Sequence, residues 1–150
     1  MRSTEILLNK LLVQLFNDIL HIEEKSLKNT KFIDLSITEI HTIEAIGLDK
    51  SRTMGEIAHD LRIAVGTLTT AINKLIKKGY VERKRIEEDR RVVLVNLTER
   101  GKEAYNIHYL FHEEMIKAMI SNFTTNEEDT LALALEKVNI FFEDKYKSFQ

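Results

Sequence analysis

Apolar residues recur every three or four positions over the N-terminal part of the chain, which is helical spacing. This spacing predicts a long first helix over about Thr4–Leu27, with an apolar face made by Leu8, Leu11, Leu12, Leu15, Phe16, Ile19 and Ile22. The segment Ser36–Glu39 has the form of a capping box, in which a serine hydroxyl and a glutamate carboxylate satisfy amides at a helix start. A second helix is therefore expected over about Ile37–Leu48.

Two short helical patterns follow, separated by a break of a few residues. Thr53 can cap a helix over Met54–Leu61, and a second apolar face runs over Gly66–Lys78 with Gly79 suited to the left-handed residue after its end. The break lies at Arg62–Val65. Two short helices joined in this way predict a helix-turn-helix.

The rest of the chain predicts a β-hairpin and two more helices. Tyr80–Ile86 and Arg91–Leu97 are rich in residues that favour strands, and a polar segment separates them. Thr98 can cap a following helix, and Thr125 precedes a last one whose apolar face contains Leu131, Leu135, Val138, Phe141 and Phe142. The expected fold class is mainly α with a small β-hairpin wing, a winged helix-turn-helix.

This order of elements predicts one domain over residues 1–150. A DNA-binding lobe is expected at about 36–98, and helices at about 1–30 and 99–150 are expected to form a dimer. The reason is that the first and last helices carry more apolar surface than a chain of this size can hide alone. The alternative is a single six-helix bundle that buries all of this surface internally.

Charge is distributed unevenly along the chain. The net charge is −2, yet residues 62–102 contain eleven Lys and Arg against five Asp and Glu, a local charge of +6. Such a basic segment is typical of a nucleic-acid-binding surface. The absence of cysteine excludes thiolate catalysis and cysteine-based zinc sites. No apolar run is long enough to cross a bilayer, so a cytoplasmic protein without a membrane partner is expected.

The second helix of the helix-turn-helix offers polar side chains between its apolar positions. Hydroxyl, amide and ammonium groups of this kind can contact base edges and phosphates in a major groove. A solvated helix face collects the same residue types, so this pattern alone leaves both interpretations open. The candidate DNA-binding residues on this helix are Thr67, Thr69, Thr70, Asn73, Lys74 and Lys77.

The hairpin carries a more specific pattern. The motif Asp89-x-Arg91-x-x-x-Val95-x-Leu97-Thr98-x-x-Gly101, together with Lys78–Arg83, resembles the wing of the MarR family of transcriptional regulators. The resemblance implies a homodimeric winged-helix repressor that binds double-stranded DNA at an inverted repeat. Arg90 and Arg91 would enter a minor groove, where the negative potential attracts cations. Asp89 would orient Arg91 by pairing with it.

The segment Gly66–Asn73 is similar to the FabT-like branch of that family. Further matches include Asp89–Val93 and His108-x-x-Phe111-His112-x-x-Met115. This resemblance implies repression of fatty-acid synthesis genes, with a long-chain acyl group on acyl carrier protein as co-repressor. The acyl chain is expected between the first, second and fifth helices, in a cavity with the histidines among its few polar groups. The expected lining residues are Leu15, Ile19, Ile22, Ile40, Ile43, Ile46, His108, Phe111, His112 and Met115.

The histidines also fit a second kind of regulator, a zinc-responsive repressor, which is the alternative to a repressor that responds to an acyl group. His108 and His112 are four residues apart on one helix face, and with His41 and Glu24 they resemble the ligand set of zinc-sensing members of the family. Those relatives also use a cysteine after the first helix, which is missing here. Hydrogen-bonded histidines beside the effector are the other interpretation, in which the protein needs no metal or other cofactor.

The competing function class is an enzyme, and its concrete form is a metal-dependent hydrolase built on the same histidines. Such an enzyme needs an open coordination position and a general base. No serine nucleophile motif or phosphate-binding glycine loop accompanies the histidines, and the chain has five glycines. The sequence therefore predicts that the protein is not an enzyme.

Overall fold

A computed structural model describes residues 1–49 and 51–149. In chain order the elements are α1 (Ser3–Lys28), α2 (Ile37–Ile46), β1 (Arg52–Thr53), α3 (Met54–Leu61), α4 (Val65–Lys77), β2 (Val81–Arg85), β3 (Val93–Leu97), α5 (Glu99–Ile120) and α6 (Thr125–Lys147). The chain divides into two compact units, Met1–Phe111 and His112–Gln150. The first unit contains the helix-turn-helix and the sheet. The mainly helical fold with a small hairpin is confirmed.

Capping residues determine where several helices begin. The Ser36 hydroxyl accepts a hydrogen bond from the Glu39 amide while the Glu39 carboxylate accepts one from the Ser36 amide, as the capping box predicts. Thr53 caps α3 in the same way. The last helix is capped by Thr124, one residue before the predicted Thr125. α2 ends at Ile46 rather than at Leu48, because Gly47 adopts a positive φ of 80° that ends the helical backbone.

The sheet has three antiparallel strands in the order β1-β3-β2, one more than the sequence predicts. β2 and β3 form the predicted hairpin, with Arg83 opposite Val95. β1 is only two residues long and pairs Arg52 with Val95 on the other side of β3. A two-residue strand shows no alternation of apolar and polar residues, and this is why the sequence pattern missed it.

The hydrophobic core lies in the first unit and contains residues from α1, α2, α3, α4, the sheet and the start of α5. Its fully buried members include Ile40, Ile43, Ile46, Ile57, Leu68, Ile72, Leu75, Tyr80 and Val95. The first turn of α5 approaches the backbone at Tyr80 so closely that a Cβ on Gly101 would overlap the Tyr80 carbonyl oxygen. This contact fixes the start of α5 against the sheet.

The long helices α1 and α6 leave large apolar side chains exposed. On α1 these include Leu8, Leu11, Leu12, Leu15 and Phe16, and on α6 Leu135, Phe141 and Phe142 are more than half exposed. The apolar face predicted for α6 is therefore not buried within a single chain. No helix in the described ranges is long and apolar enough to span a membrane. The predicted single domain, with its lobe at 36–98, stays a prediction.

Candidate nucleic-acid interface

The second helix of the helix-turn-helix, α4, presents a polar face to solvent. Its apolar side chains Leu68, Ile72 and Leu75 are buried in the core, because they recur at three- and four-residue spacing. The opposite face is open, and Thr69 is half-buried at its margin. Of the predicted DNA-binding residues, this face exposes Thr67, Thr70, Asn73, Lys74 and Lys77.

Two threonines on α4 use their hydroxyl protons within the helix. Thr69 Oγ1 donates to the Val65 carbonyl oxygen at 2.9 Å, and Thr70 Oγ1 points at the Gly66 carbonyl oxygen at 3.4 Å. A hydroxyl whose proton is used in this way offers its lone pairs and its neighbouring methyl group to other molecules. Both threonines can thus accept hydrogen bonds from bases or contact thymine methyls.

The tip of the hairpin places two cations in solvent. Asp89 Oδ1 accepts hydrogen bonds from the backbone amide of Arg91 at 3.0 Å and from its Nε at 3.2 Å. The Arg91 side chain is 92% exposed, so the contact orients the guanidinium without burying it. Arg85 donates to the Arg90 carbonyl oxygen at 3.2 Å, which closes the base of the turn. The predicted pairing of Asp89 with Arg91 is present.

A cluster of charged residues joins the end of α4 to the start of α2. Lys78 Nζ lies 2.8 Å and 3.0 Å from the two carboxylate oxygens of Glu39. Burial acts to raise the pKa of Glu39, but the hydrogen bonds from Lys78 and from the Ser36 amide, with the charge of Lys78, outweigh it and lower that pKa. Lys78 is thus engaged inside the protein, although it belongs to the basic segment.

Tyr80 extends this connection to α5. Its hydroxyl donates to Asp34 Oδ1 at 2.6 Å and accepts a hydrogen bond from Arg100 at 3.0 Å. Burial and the hydrogen bond to the Asp34 carboxylate raise the pKa of Tyr80 to about 12, so the phenol stays protonated. The Arg100 guanidinium also lies over the Tyr80 ring, 4.5 Å from its centroid. These contacts join the segment before α2, the segment between α4 and β2, and the first turn of α5.

A second polar cluster lies on the other side of α2. One ligand atom each from Glu23, His41 and His108 lies within 4.8 Å of the others. His41 Nε2 is 3.4 Å from Glu23 Oε1, and His108 Nε2 is 3.4 Å from Glu44 Oε2. Glu23 and His108 are only 4% and 6% exposed, which is unusual for such polar groups. The side chains are of the types that ligate zinc.

These features agree with comparisons to known proteins. The family described as "Transcriptional regulator SarA/Rot" matches residues 24–107. The chain is 30% identical to the multiple antibiotic resistance protein MarR of Escherichia coli over 107 residues, which cover 71% of this chain and 74% of that protein. The chain belongs to the MarR/SarA family of winged-helix transcriptional regulators.

Two further relatives of this MarR/SarA-family protein support the assignment. The regulator SarZ of Staphylococcus epidermidis is 30% identical over 105 residues, which cover 70% of this chain and 68% of that protein. The crystal structure of Streptococcus pneumoniae FabT in complex with DNA has a TM-score of 0.88 and 38% identity, and the match covers 91% of this chain and 96% of that one. The matched family consists of transcriptional regulators, which supports a DNA-binding rather than an enzymatic role.

The residues predicted to line an effector cavity fall into different environments. Ile40, Ile43 and Ile46 are fully buried core residues of the DNA-binding lobe, because their spacing of three turns all of them inward. Their assignment as walls of an effector cavity stays a prediction. The three positions on α1 are exposed apolar side chains, namely Leu15, Ile19 and Ile22.

The remaining predicted effector residues lie on α5. His108 is buried, and its ring stacks on that of Phe111 with 6.4 Å between centroids. His112 and Met115 belong to the second unit and are half-buried there. Glu24, named in the alternative zinc site, is exposed and accepts a hydrogen bond from Lys28 at 2.9 Å. The carboxylate beside His41 and His108 comes from Glu23, because the helix turns the neighbouring position inward.

Two grooves of the first unit border α4 and include residues that sequence reasoning missed. One of about 870 Å³ lies between α1, the segment 34–39 and the end of α4, and its lining includes none of the ten predicted effector residues. The other, about 500 Å³, is lined by Ser36, Thr38, Glu39, Thr67, Thr70, Ala71 and Lys74. Thr38 thus joins the polar surface around α4. The sequence feature that could have identified Thr38 was its position in the first turn of α2.

Proposed function

We propose that this MarR/SarA-family regulator represses fatty-acid synthesis genes by binding an inverted-repeat operator as a homodimer. The observation that carries the DNA-binding part is the exposed polar face of α4, together with a wing that holds two exposed cations, Arg90 and Arg91. The helix supplies contacts to bases and phosphates in a major groove, and the wing supplies cations to an adjacent minor groove. The similarity to FabT supports fatty-acid synthesis as the regulated process.

The homodimer follows from the exposed apolar faces of α1 and α6. Helix faces with side chains such as Phe16 and Phe141, 68% and 60% exposed, are unfavourable in water. A second copy of the chain can cover the same faces in a symmetric interface. Two α4 helices related by a two-fold axis would then bind half-sites about one helical turn apart, roughly 10 bp.

The proposed co-repressor is a long-chain acyl group on acyl carrier protein. The exposed apolar side chains of Leu15, Ile19 and Ile22 on α1 offer a surface for an acyl chain. A ligand of this kind increases operator affinity only if it binds the DNA-competent conformation more tightly than the alternatives. We therefore expect the acyl chain to favour that conformation.

An operator-binding titration tests the proposal. The operator is first obtained by in vitro selection, and binding is then measured with long-chain acyl carrier protein and with the unacylated carrier as control. We expect tighter binding with the long chain alone. Ile19→Trp should abolish the tightening, and its oligomeric state is measured in parallel because Ile19 also lies on the apolar face of α1 proposed for the dimer. Ile33→Trp, on an exposed isoleucine outside the proposed site, should preserve the dimer, basal binding and the tightening. Equal effects of acylated and unacylated carrier would contradict the proposal.

A zinc-responsive repressor is the second candidate, and the cluster of Glu23, His41 and His108 favours it. Two imidazoles and one carboxylate can provide three of the four ligands of a tetrahedral zinc ion, and Glu44 lies close enough to His108 to be considered as a fourth. In this case zinc should bind with about one equivalent per chain, and chelation should release the operator. Under the acyl proposal, chelation should leave operator binding unchanged.

A further inference from the structure

One side chain on the exposed face of α4 is bound to the neighbouring strand. Asn73 Oδ1 accepts a hydrogen bond from a terminal guanidinium nitrogen of Arg83 on β2. A guanidinium has only donors, so it is the amide oxygen, and not the amide nitrogen, that must face Arg83. The chemistry of the pair therefore determines the orientation of the Asn73 amide.

The amide nitrogen of Asn73 remains available. Both Asn73 and Arg83 are exposed, and within residues 1–49 and 51–149 Asn73 Nδ2 donates to no protein acceptor. Arg83 occupies a fixed place in the hairpin, opposite Val95 on the central strand. A rigid strand thus holds the oxygen of a flexible polar side chain on α4 and leaves its N–H group for a ligand.

We propose that Arg83 is a positioning residue that makes Asn73 a hydrogen-bond donor toward DNA. This inference rests on the proposed function, in which α4 lies in a major groove. A free asparagine contacts adenine by turning both its oxygen and its nitrogen to the base. With the oxygen held by Arg83, the amide presents its nitrogen, and the matching base edges are acceptors such as guanine O6 and N7 or thymine O4.

A simple phosphate contact by Arg83 makes different predictions. A cation that only neutralises phosphate raises affinity for every DNA sequence and contributes to the salt dependence of binding. A positioning residue instead changes the preference at the one base position that Asn73 contacts. The two roles are therefore separated by base preference at each position rather than by overall affinity.

The experiment is in vitro selection of binding sites with the full-length protein and four variants. We expect Asn73→Ala to flatten the preference at one position of each half-site, by roughly 2–10-fold for one hydrogen bond. Arg83→Ala should change the preference at the same position, away from the acceptor base and toward adenine, because it frees the Asn73 oxygen. Arg83→Ala with Asn73→Ala should give the same flattened preference as Asn73→Ala alone. Lys84→Ala removes one exposed cation from the same strand and should leave that preference intact.

A fifth variant tests the donor directly. Asn73→Asp keeps an oxygen for Arg83 but removes the N–H group, so it should lose the preference as Asn73→Ala does. The proposal is overturned if Arg83→Ala weakens all sequences equally, if Asn73→Ala changes no base preference, or if Asn73→Asp retains the wild-type preference. Failure of the wild-type protein to select any sequence would instead contradict the proposed function.

Discussion

Lys78 Nζ lies 2.8 Å from Glu39 Oε2, so the C-cap residue of α4 is bound to the third residue of α2, whose carboxylate completes the capping box with Ser36. The Glu39 side chain is 10% exposed and that of Lys78 is 32% exposed. Hydrogen bonds between charged groups in such partly buried places contribute more to stability than surface ion pairs do. The contact fixes the orientation of α4 against α2, while the polar face of α4 stays exposed to solvent.

The first prediction compares two adjacent lysines. Lys78→Met should lower the free energy of unfolding by about 1–3 kcal/mol, because it leaves the buried Glu39 carboxylate without its charged partner. Lys77→Met, on the exposed face, should change it by less than about 0.5 kcal/mol and should weaken DNA binding instead. Urea denaturation at one protein concentration measures the first effect. Equal destabilisation by the two variants would contradict the assignment.

The second prediction concerns acid stability. The pKa of Glu39 lies below its ordinary value of 4.5 in the folded protein, so the folded state binds this proton less readily than the unfolded state. The stability that Glu39 contributes is present above about pH 4.5 and is lost as the pH falls through its lowered folded pKa.

Glu39→Gln should therefore make the free energy of unfolding less dependent on pH in this acidic range. Unfolding measured as a function of pH tests this expectation. Asp129→Asn, an exposed carboxylate on α6, is the matched control and should leave the pH profile unchanged. A wild-type pH profile in Glu39→Gln would contradict the role assigned to the pair.

Local patterns predicted most of this fold. The capping box at Ser36 and Glu39 and the inward spacing of Leu68, Ile72 and Leu75 each act over a few residues, so the sequence alone specifies them. The pairing of Lys78 with Glu39 was missed because it joins residues 39 positions apart. The basic segment indicates a charged surface, but it does not show which of its cations pair with carboxylates of the protein itself.

The effector residues were harder to predict, because a pattern of apolar residues shows which side chains face inward. It does not show whether those side chains line a cavity or pack in a core. The inward face of α2 fits both a cavity wall and a packed core, and the structure places Ile43 in the core. The candidate carboxylate ligand on α1 could be either of two consecutive residues, Glu23 or Glu24. Their side chains lie about 100° apart around the helix, so only one of them can face His41. Only the packing of α1 on α2 decides which carboxylate faces His41.

The third prediction concerns the wing. Arg90→Ala and Arg91→Ala should each weaken operator binding and reduce the slope of log affinity against log salt by about 1, because each removes a cation that displaces counterions from DNA. Binding measured over a range of salt concentrations tests this. Lys102→Ala is the control, since Lys102 lies on α5, outside the helix and the wing proposed to contact DNA. Unchanged slopes in both wing variants would exclude the wing from the interface.

The fourth prediction compares two glycines within helices. Gly101→Ala should lower the free energy of unfolding by about 1–3 kcal/mol, because its Cβ would overlap the Tyr80 carbonyl oxygen, a backbone atom that cannot move aside without shifting β2 or α5. Gly55→Ala has open space around its Cβ, and alanine favours the helix, so it should raise stability by about 0.5–1 kcal/mol.

Chemical denaturation of the two variants at equal protein concentration measures this difference. The sign should be opposite for the two positions, although both substitutions place the same side chain in a helix. Because the overlap is with the backbone beside the Asp34–Tyr80 hydrogen bond, Gly101→Ala should also loosen the orientation of α4 and weaken operator binding. Gly55→Ala should bind as the wild type does. If Gly101→Ala is as stable as Gly55→Ala, then α5 does not dock on Tyr80 in solution.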